Sequence, residues 1–390
     1  MSESTEPTLD SAAILANARA LHDEIRGHAE AIETGRRLPD ALVRTMSDAG
    51  VFRIAMPRAW GGPEMSPLEQ IELIETLAYA NPSVGWCASI LSDSGFYAGF
   101  LEDEVARKLF PDLDAPCAGM VAPVGQAEAV PGGYRVNGHW AFGSGSLHAT
   151  HITGGCLILE DGKPTIGENG LPNWRVMIFD PADVEILDTW HTTGLAGTGS
   201  NDYRVADVFV PEGHTFQPIG ESKRDEPLYA YHGFFFANVP GIPFGLARAA
   251  LDEARHIAET KRSYPAIQAL REDAQVQTDF GEAEAILAAS RAYVTDAIGG
   301  AWETLLRGDP LDIEARAQIG LCIVYAGQSA HRIVELACRI AGSSALYRKS
   351  PLEGLRRDMI AVSSHLVHQR KTYASAGGIL LGASPRPTFF

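Results

Sequence analysis

The sequence predicts an α+β protein with three parts: an N-terminal α-helical domain, a small middle β domain of the barrel or sandwich type, and a C-terminal antiparallel four-helix bundle. Two patterns carry this prediction. Apolar residues recur at helical spacing at both ends of the 390-residue chain. Between about residues 115 and 222 they alternate in short runs separated by Gly- and Pro-containing turns, as in β-hairpins. The predicted domains are therefore 1–114, 115–222 and 223–390.

The N-terminal domain contains recognisable helix boundaries. Apolar residues at helical spacing begin at Ile14, and Gly35 is well placed to end that stretch. The tetrapeptide Ser66-Pro67-Leu68-Glu69 combines an N-cap serine, a proline at the first helical position and a capping-box glutamate. A helix is therefore expected to begin at this tetrapeptide and to end at Asn81-Pro82.

The middle and C-terminal regions differ in their periodicity. Tyr134–Gly138 and Tyr203–Val210 alternate polar and apolar residues, which predicts strands. Long helical stretches then return, and four of them predict an antiparallel bundle. These stretches are Gly241–Thr260, Ala274–Arg307, Leu311–Ala341 and Pro351 to about Ala374.

Composition limits the classes of partner and compartment. A net charge of −17 with no evident basic face disfavours nucleic acid and anionic membranes as partners. The acidic segment Met1–Pro7 lacks the apolar core of a signal peptide, and no later run has membrane-spanning length. The cysteines are odd in number, scattered and never in a C-x-x-C pair, which predicts a reduced, cytoplasmic protein with no zinc site: Cys87, Cys117, Cys156, Cys322 and Cys338.

The most informative tract is Gly138–Ser146, in which an aromatic strand leads into a Gly/Ser turn. The hydroxyls and bare amides of such a turn can bind the edge of a flat polar ring, and this suggests a flavin. Taken alone, the tract is better explained as an ordinary β-hairpin corner, with Trp140 and Phe142 in the core. The surrounding tracts decide between these interpretations.

Together these tracts resemble the acyl-CoA dehydrogenase superfamily. The likeness spans most of the chain, in the order expected for an α domain, a β domain and a four-helix bundle. Beside the Gly/Ser turn it rests on five tracts: Ala122–Gly125, Gly132–Trp140, Gly194–Asp202, Val208–Pro211 and Arg357-Asp358. The resemblance implies a flavin held by the β domain and the bundle.

The resemblance also implies individual cofactor contacts. The Ser144 hydroxyl would lie near flavin N5 and Phe142 would pack against the flavin, whereas Arg262 and Gln277 would reach the cofactor pyrophosphate. A bundle loop beginning at Gly342 would come from a neighbouring subunit. The two pyrophosphate candidates are equally well explained as solvated surface residues. The predicted cofactor-binding residues are Trp140, Phe142, Ser144, Gly145, Ser146, Arg262, Gln277, Gly342 and Ser343.

The stretch after Arg357-Asp358 indicates oxygenation rather than dehydrogenation. Dehydrogenases of the superfamily need a carboxylate base there or early in the first bundle helix. Neither Met359–His368 nor Phe234–Asn238 contains one. A histidine after Arg-Asp, here His365, instead resembles the two-component flavin monooxygenases of this superfold, which hydroxylate phenols, indoles and related rings.

This resemblance implies reduced FAD or FMN, supplied by a separate flavin reductase. Oxygen would add to the reduced ring as a C4a-hydroperoxide, which delivers one oxygen atom to a small aromatic substrate. His365 would donate a hydrogen bond to the peroxide or help deprotonate the substrate, because histidine ionises near neutrality. Ser144 would slow the loss of hydrogen peroxide.

The two histidines of this stretch permit other interpretations. His365 and His368 are three residues apart, which on a helix would place them on one face and allow a metal pair. No third ligand is evident, so no metal is predicted. His368 is also well explained as a core histidine that hydrogen-bonds a backbone carbonyl.

The substrate prediction depends on the first half of the chain. Ser94 stands where aromatic hydroxylases of this group place a histidine, which disfavours phenol deprotonation. Gly85–Cys87 and Trp190–Gly194 resemble the indole-3-acetate monooxygenase branch, so an indolic substrate is expected. The predicted pocket residues are Trp86, Ser94, Phe96, Phe235 and His368, and each aromatic among them could equally be core.

Three other functions stay open from the sequence. An acyl-CoA dehydrogenase could take its base from Asp358 or Glu353. A flavin-dependent N-oxygenase shares the fold, and a flavin-binding protein without turnover is the third alternative. The resemblance implies a homotetramer, arranged as a dimer of dimers.

Overall fold

The computed structural model describes residues 9–168, 170–220, 222–262 and 268–383. Packing divides the chain into two compact units. The sheet unit consists of Met1–Met65, Trp86–His191 and Ala196–Phe235, and the bundle unit consists of Ser66–Gly85, Thr192–Leu195 and Phe236–Phe390. The three-domain division at residues 114 and 222 stays a prediction. The Met1–Pro7 segment, on which the compartment prediction rests, lies outside the described residues.

The helices of the first 110 residues are short and follow one another closely. Where the sequence predicts one helical stretch up to Gly35, the chain forms three consecutive helices that end there. The helices are α1 Ser11–Ala20, α2 His22–Gly27, α3 Ala29–Gly35, α4 Asp40–Asp48, α5 Pro67–Ala80, α6 Pro82–Leu91, α7 Asp93–Tyr97 and α8 Asp103–Leu109.

The predicted capping box at the start of α5 is confirmed. The Ser66 hydroxyl accepts a hydrogen bond from the Glu69 amide at 3.4 Å, and the Glu69 carboxylate accepts one from the Ser66 amide at 2.7 Å. Two of the amides left open at a helix start are thereby satisfied. At the other end Asn81 is extended, with φ −159°, so α5 ends where predicted.

The middle region forms one eight-stranded sheet. Hydrogen bonding runs in the order β6-β7-β2-β1-β3-β5-β8, with β4 paired to β3, and β1 with β3 is the parallel pair. Trp140 and Tyr203, opposite each other on β2 and β7, stack with ring centroids 5.4 Å apart in its core. The strands are β1 Cys117–Val130, β2 Gly133–Gly143, β3 His151–Glu160, β4 Lys163–Pro164, β5 Trp174–Phe179, β6 Glu185–Leu187, β7 Asn201–Pro211 and β8 Thr215–Phe216.

The bundle unit confirms the predicted C-terminal helices with one correction. The last predicted helix, from Pro351 to about Ala374, is interrupted, because His365 is extended with ψ 146° and a 3-10 turn follows at Leu366–His368. The two histidines of this stretch therefore do not share a helix. The helices are α9 Gly241–Thr260, α10 Ala274–Leu306, α11 Ile313–Ala341, α12 Pro351–Ser364 and α13 Lys371–Leu380.

Helix α5 packs against α9 through small residues. A Cβ on Gly241 or Gly245 would overlap the backbone of α5, so two glycines one turn apart allow the two helices to approach closely. Tyr79 adds a hydrogen bond from its hydroxyl to Asp252 at 3.1 Å. Among the described residues, one segment, His232–Thr260, is long and apolar enough to cross a membrane; 78% of its apolar 18-residue window is buried, so it serves as a core element.

Candidate active site

The turn after β2 builds a buried relay of hydroxyl groups in the sheet unit. Ser144 Oγ accepts a hydrogen bond from Trp86 Nε1 at 3.1 Å and shares one with Ser200 Oγ at 2.7 Å. Ser200 Oγ in turn lies 2.6 Å from Thr198 Oγ1. A hydroxyl has one hydrogen and two lone pairs. If Thr198 donates to Ser200 and Ser200 to Ser144, the Ser144 hydrogen stays available for a ligand.

The two aromatic residues of the turn have separate roles. Trp140 has no exposed surface and donates its Nε1 hydrogen to Gly155 O at 2.9 Å, so it is a core residue. The prediction that Trp140 contacts the cofactor is therefore corrected. Phe142 is 58% exposed, has a φ of 65° and lies edge-on to Trp190 with centroids 6.2 Å apart. Its exposed ring is available to a flat ligand.

Two buried polar atoms next to this turn have no hydrogen-bond partner in the described part of the chain: Ser146 Oγ and His148 Nε2. Burial lowers the pKa of His148 to about 4, so the ring is neutral at pH 7. Its Nδ1 lies 3.4 Å from Arg37 Nη2, a donor, which leaves the hydrogen on Nε2. Unmatched buried donors of this kind are expected where a ligand with polar atoms binds.

Helix α7 places Ser94 and Phe96 in a cluster of aromatic rings. Phe96 and Phe235 have centroids 5.7 Å apart, and Phe235 stacks against Tyr97 at 5.8 Å. Ser94 is fully buried and its hydroxyl has no hydrogen-bond partner among the described residues. The structure thus brings together two predicted pocket aromatics beside an unmatched hydroxyl.

The same helix carries a buried acid that the sequence-based search missed. Asp93 is 8% exposed, and Tyr97 OH donates a hydrogen bond to its Oδ2 at 3.4 Å. Burial raises the pKa of Asp93 well above its usual range. The available signal was an acid and a tyrosine four residues apart in an otherwise apolar segment.

In the bundle unit, His368 is the more rigidly held of the two histidines. Its ring has no exposed surface, and Nδ1–H donates to Ile323 O at 3.2 Å. This fixes the tautomer and leaves Nε2 as an acceptor without a hydrogen-bond partner in the described residues. Burial lowers the pKa of His368 to about 3 and that of His365 to about 4. Both rings are therefore neutral at pH 7.

A glycine on α11 makes room for the His368 ring. A Cβ on Gly327 would overlap Nδ1 and Cγ of His368. Gln328 on the same helix donates from Nε2 to His368 O at 3.1 Å, which holds the backbone of the 3-10 turn. The 3-10 turn that follows Ser364 therefore packs directly against α11.

Arg357 and Asp358, which carry part of the family resemblance, hold a loop in the bundle unit. Asp358 Oδ1 accepts the Leu195 amide at 2.7 Å, and Arg357 Nη1 donates to Thr193 O. Glu353 accepts from Arg357 Nε at 2.9 Å. The two carboxylates considered as displaced dehydrogenase bases are therefore both engaged in structural contacts.

Of the other predicted cofactor residues, Gly145 lies in the turn of the sheet unit with a φ of 71°, and the remaining four lie at the surface of the bundle unit. Gln277 is exposed and donates to Arg271 O at 3.0 Å, and Arg262 forms an isolated bridge with Ala269. Gly342 ends α11 with a φ of 56°, and the exposed Ser343 follows it. Within the described residues, no group of three or more His, Cys, Asp or Glu side chains is arranged to hold a metal.

Comparisons with known proteins cover nearly the whole chain. The acyl-CoA dehydrogenase N-terminal domain family matches residues 9–113 and an acyl-CoA dehydrogenase C-terminal domain family matches residues 241–370. Indole-3-acetate monooxygenase of Pseudomonas putida is 32% identical over 375 residues, which is 95% of this chain and 94% of the relative.

Two further similarities come from monooxygenases with other names. The flavin-dependent monooxygenase oxygenase subunit HsaA of Mycobacterium tuberculosis is 26% identical over 396 residues, covering 97% of this chain and 98% of the relative. The crystal structure of 3-HSA hydroxylase from Rhodococcus sp. RHA1 superposes with a TM-score of 0.90 at 25% identity. That alignment covers 97% of this chain and 99% of the hydroxylase.

Proposed function

This chain belongs to the acyl-CoA dehydrogenase family and, within it, to the flavin-dependent monooxygenases, and we propose on that basis that it hydroxylates an indolic substrate such as indole-3-acetate. It is an oxygenase subunit that uses reduced flavin and requires a flavin reductase. The substrate proposal rests chiefly on the 32% identity, over 95% of the chain, to an indole-3-acetate monooxygenase.

The pocket residues support an electron-rich, apolar ring as substrate. Phe96 and Phe235 contact each other, with centroids 5.7 Å apart, and together offer one aromatic surface. Ser94 offers a neutral hydroxyl, whereas a phenol substrate would need a base at this position to remove its hydroxyl proton. Indole carbon is already nucleophilic and needs no deprotonation before an oxygen atom is transferred to it.

The turn in the sheet unit fits the edge of a flavin. Ser144 has one hydrogen to donate once its lone pairs are used by Trp86 and Ser200. Phe142 presents an exposed ring, and Ser146 and His148 add buried polar atoms that lack a protein partner in the described region. When bound, the reduced flavin supplies the electrons that activate O2.

The neutral histidines of the bundle unit can each accept a hydrogen bond from a bound ligand. Both stay neutral at pH 7, because burial lowers the pKa of His365 to about 4 and of His368 to about 3. Nε2 of His368 is a fixed acceptor, so we propose that His368 accepts a hydrogen bond from a bound ligand without taking up the proton, and we keep His365 as the neighbouring candidate for this role. The His368 ring has no exposed surface and is therefore shielded from water, which protects an oxygenation from hydrolytic side reactions.

Product analysis tests this function. The purified chain, reduced FAD or FMN from a reductase, O2 and a panel of indoles and phenols are incubated, and products are identified by mass spectrometry. Hydroxylated indoles are expected. Hydroxylation of phenols alone would overturn the substrate class, and N-oxygenated amines would indicate the N-oxygenase alternative.

The contacts of its candidate bases disfavour the acyl-CoA dehydrogenase alternative. Its candidate bases are engaged, Asp358 by the Leu195 amide and Glu353 by Arg357. The chain also belongs to the monooxygenase group, which removes the interpretation as a flavin-binding protein without turnover.

We also propose a homotetramer in the cytoplasm. The bundle unit exposes large apolar side chains, including Leu346 at 73% and Tyr347 at 62% of their surface. Exposed apolar residues of this size favour burial against another copy of the chain. Light scattering of the purified protein is expected to give four times the chain mass of 41.9 kDa, and a monomer would contradict the proposal.

A further inference from the structure

The protein leaves part of the hydrogen-bonding capacity of the Asp93 carboxyl group unused. It is 8% exposed, and the hydrogen bond from Tyr97 OH to Oδ2, at 3.4 Å, is the one that the described residues form with it. The neighbouring hydroxyl, Ser94 Oγ, is buried with no hydrogen-bond partner in the same part of the chain. Buried acceptors are costly to leave unmatched, so this place is suited to a ligand hydrogen.

Aromatic rings surround the acid on α7. On a helix, residue i lies in angle between residues i+3 and i+4. Phe235 contacts both Phe96 and Tyr97, with centroids 5.7 and 5.8 Å away, so it packs on the side of α7 that also carries Asp93. A flat ring lying against Phe235 would therefore meet one acidic acceptor at its edge.

No cation contributes to the environment of this acid in the described residues. The titratable groups that act on it are Tyr97 and Cys117, and burial raises the pKa of both well above their usual ranges. A carboxylate of a substrate is consequently disfavoured here, because it would find no positive charge. A neutral N–H donor is favoured, since either protonation state of the carboxyl offers it a lone pair.

We propose that Asp93 accepts the ring N–H of the substrate and thereby selects heteroaromatic rings that carry an N–H group. This inference rests on the proposed function and specifies which atom of the indolic substrate is recognised. Accepting the N–H hydrogen also increases electron density in the ring, which favours attack by its carbon on an oxygen donor. No covalent bond changes at Asp93, so it acts as a specificity-determining residue.

The test compares two ligands that differ in one ring atom. Indole-3-acetate and benzofuran-3-acetate have nearly the same shape, but an oxygen atom replaces the N–H in the second. Binding to the complete purified chain is measured by calorimetry, which does not depend on turnover. The wild type is expected to bind the indole about tenfold more tightly, which is the upper range for one hydrogen bond to a neutral group.

Three variants separate recognition from folding. Asp93→Leu should reduce the binding ratio to about one, whereas Asp93→Asn, which retains a carbonyl acceptor, should preserve part of it. Asp114→Asn is the matched control, because Asp114 is a buried acid of the same unit, paired with Arg53, and should keep the full ratio. Thermal unfolding checks that each variant is folded.

The outcomes distinguish this inference from the proposed function. Equal affinities of the wild type for both ligands, with hydroxylation of indole-3-acetate intact, would overturn the role of Asp93 alone. A ratio that persists in Asp93→Leu would do the same. Failure of the wild type to bind or hydroxylate either ligand would overturn both proposals.

Discussion

The two candidate sites for oxygen chemistry, the Ser144 turn and the His368 turn, present their functional atoms differently. Ser144 Oγ is part of a relay in which Trp86 and Ser200 already contact it. His368 is fixed at Nδ1 by Ile323 O, whereas Nε2 has no hydrogen-bond partner in the described residues. The direction of the Ser144 hydroxyl is therefore set by two neighbouring side chains, whereas the position of His368 Nε2 is set by one hydrogen bond to the backbone.

The largest expected effect is on catalysis, at His368. His368→Ala removes the acceptor and should lower the yield of hydroxylated product by about 10- to 100-fold, because a buried hydrogen-bond partner left unmatched costs about 1–3 kcal/mol. Oxygen consumption should continue as uncoupled flavin oxidation. The ratio of product formed to oxygen consumed measures this. An unchanged ratio in His368→Ala together with a loss in His365→Ala would assign the role to His365.

The next effect is on stability in acid. The pKa of His368 is lowered in the fold to about 3, so the protein prefers the neutral ring and loses this stability as the pH falls from about 6.5 towards 3. The loss is on the order of 5 kcal/mol, since each pKa unit corresponds to about 1.4 kcal/mol. Urea unfolding at several pH values should show it, and His368→Leu should flatten the dependence between pH 6.5 and 4.

A smaller effect tests the packing contact itself. Gly327→Ala places a methyl group against the His368 ring and should lower the free energy of unfolding by about 1–3 kcal/mol. The yield of hydroxylated product should fall as well. Gly281→Ala on α10 is the matched control, because its Cβ would meet nothing within 4 Å. That variant should be neutral or up to about 1 kcal/mol more stable. Equal thermal stability of the two variants would show that the close contact between Gly327 and the His368 ring does not matter for stability.

The smallest effect concerns the relay. Ser144→Ala leaves Trp86 Nε1–H buried without its acceptor and should cost about 1 kcal/mol of stability. Ser200→Ala should cost less, because Ser144 keeps its bond from Trp86. Hydrogen peroxide release during turnover should rise in the first variant more than in the second. A larger rise in Ser200→Ala would contradict this order and would show that hydrogen peroxide release depends more on Ser200 than on the Ser144 hydroxyl.

Local signals predicted much of the fold, and long-range packing accounts for the differences. The capping box at Ser66 and the limits of α9 depend on neighbouring residues, and both are confirmed. The interruption after Ser364 brings the His368 ring against Gly327, which is far away in sequence, and periodicity alone did not reveal it. Family, enzyme class and flavin use are confirmed by the comparisons.

The candidate site shows the same division. Alternation along β2 placed Trp140 and Phe142 on one face, but a register shift after Trp140 and a φ of 65° at Phe142 expose the second ring. Asp93 was missed because an acid in sequence is normally a surface residue, and only packing shows that this one is buried. The specific roles of Ser144, His365 and His368 stay predictions that the variants above test.

The close contact of α5 with α9 has a consequence for synthesis on the ribosome. Tyr79 and Asp252, which hydrogen-bond across these helices, are 173 residues apart in the chain. Helix α5 therefore emerges from the ribosome long before the glycines on α9 that it packs against. Until α9 is made, the apolar side of α5 has no packing partner there. The sheet unit contains no residue beyond Phe235 and can be completed earlier. The nascent chain thus carries an unpaired helix for more than a third of its length, where a chaperone has its best opportunity to bind.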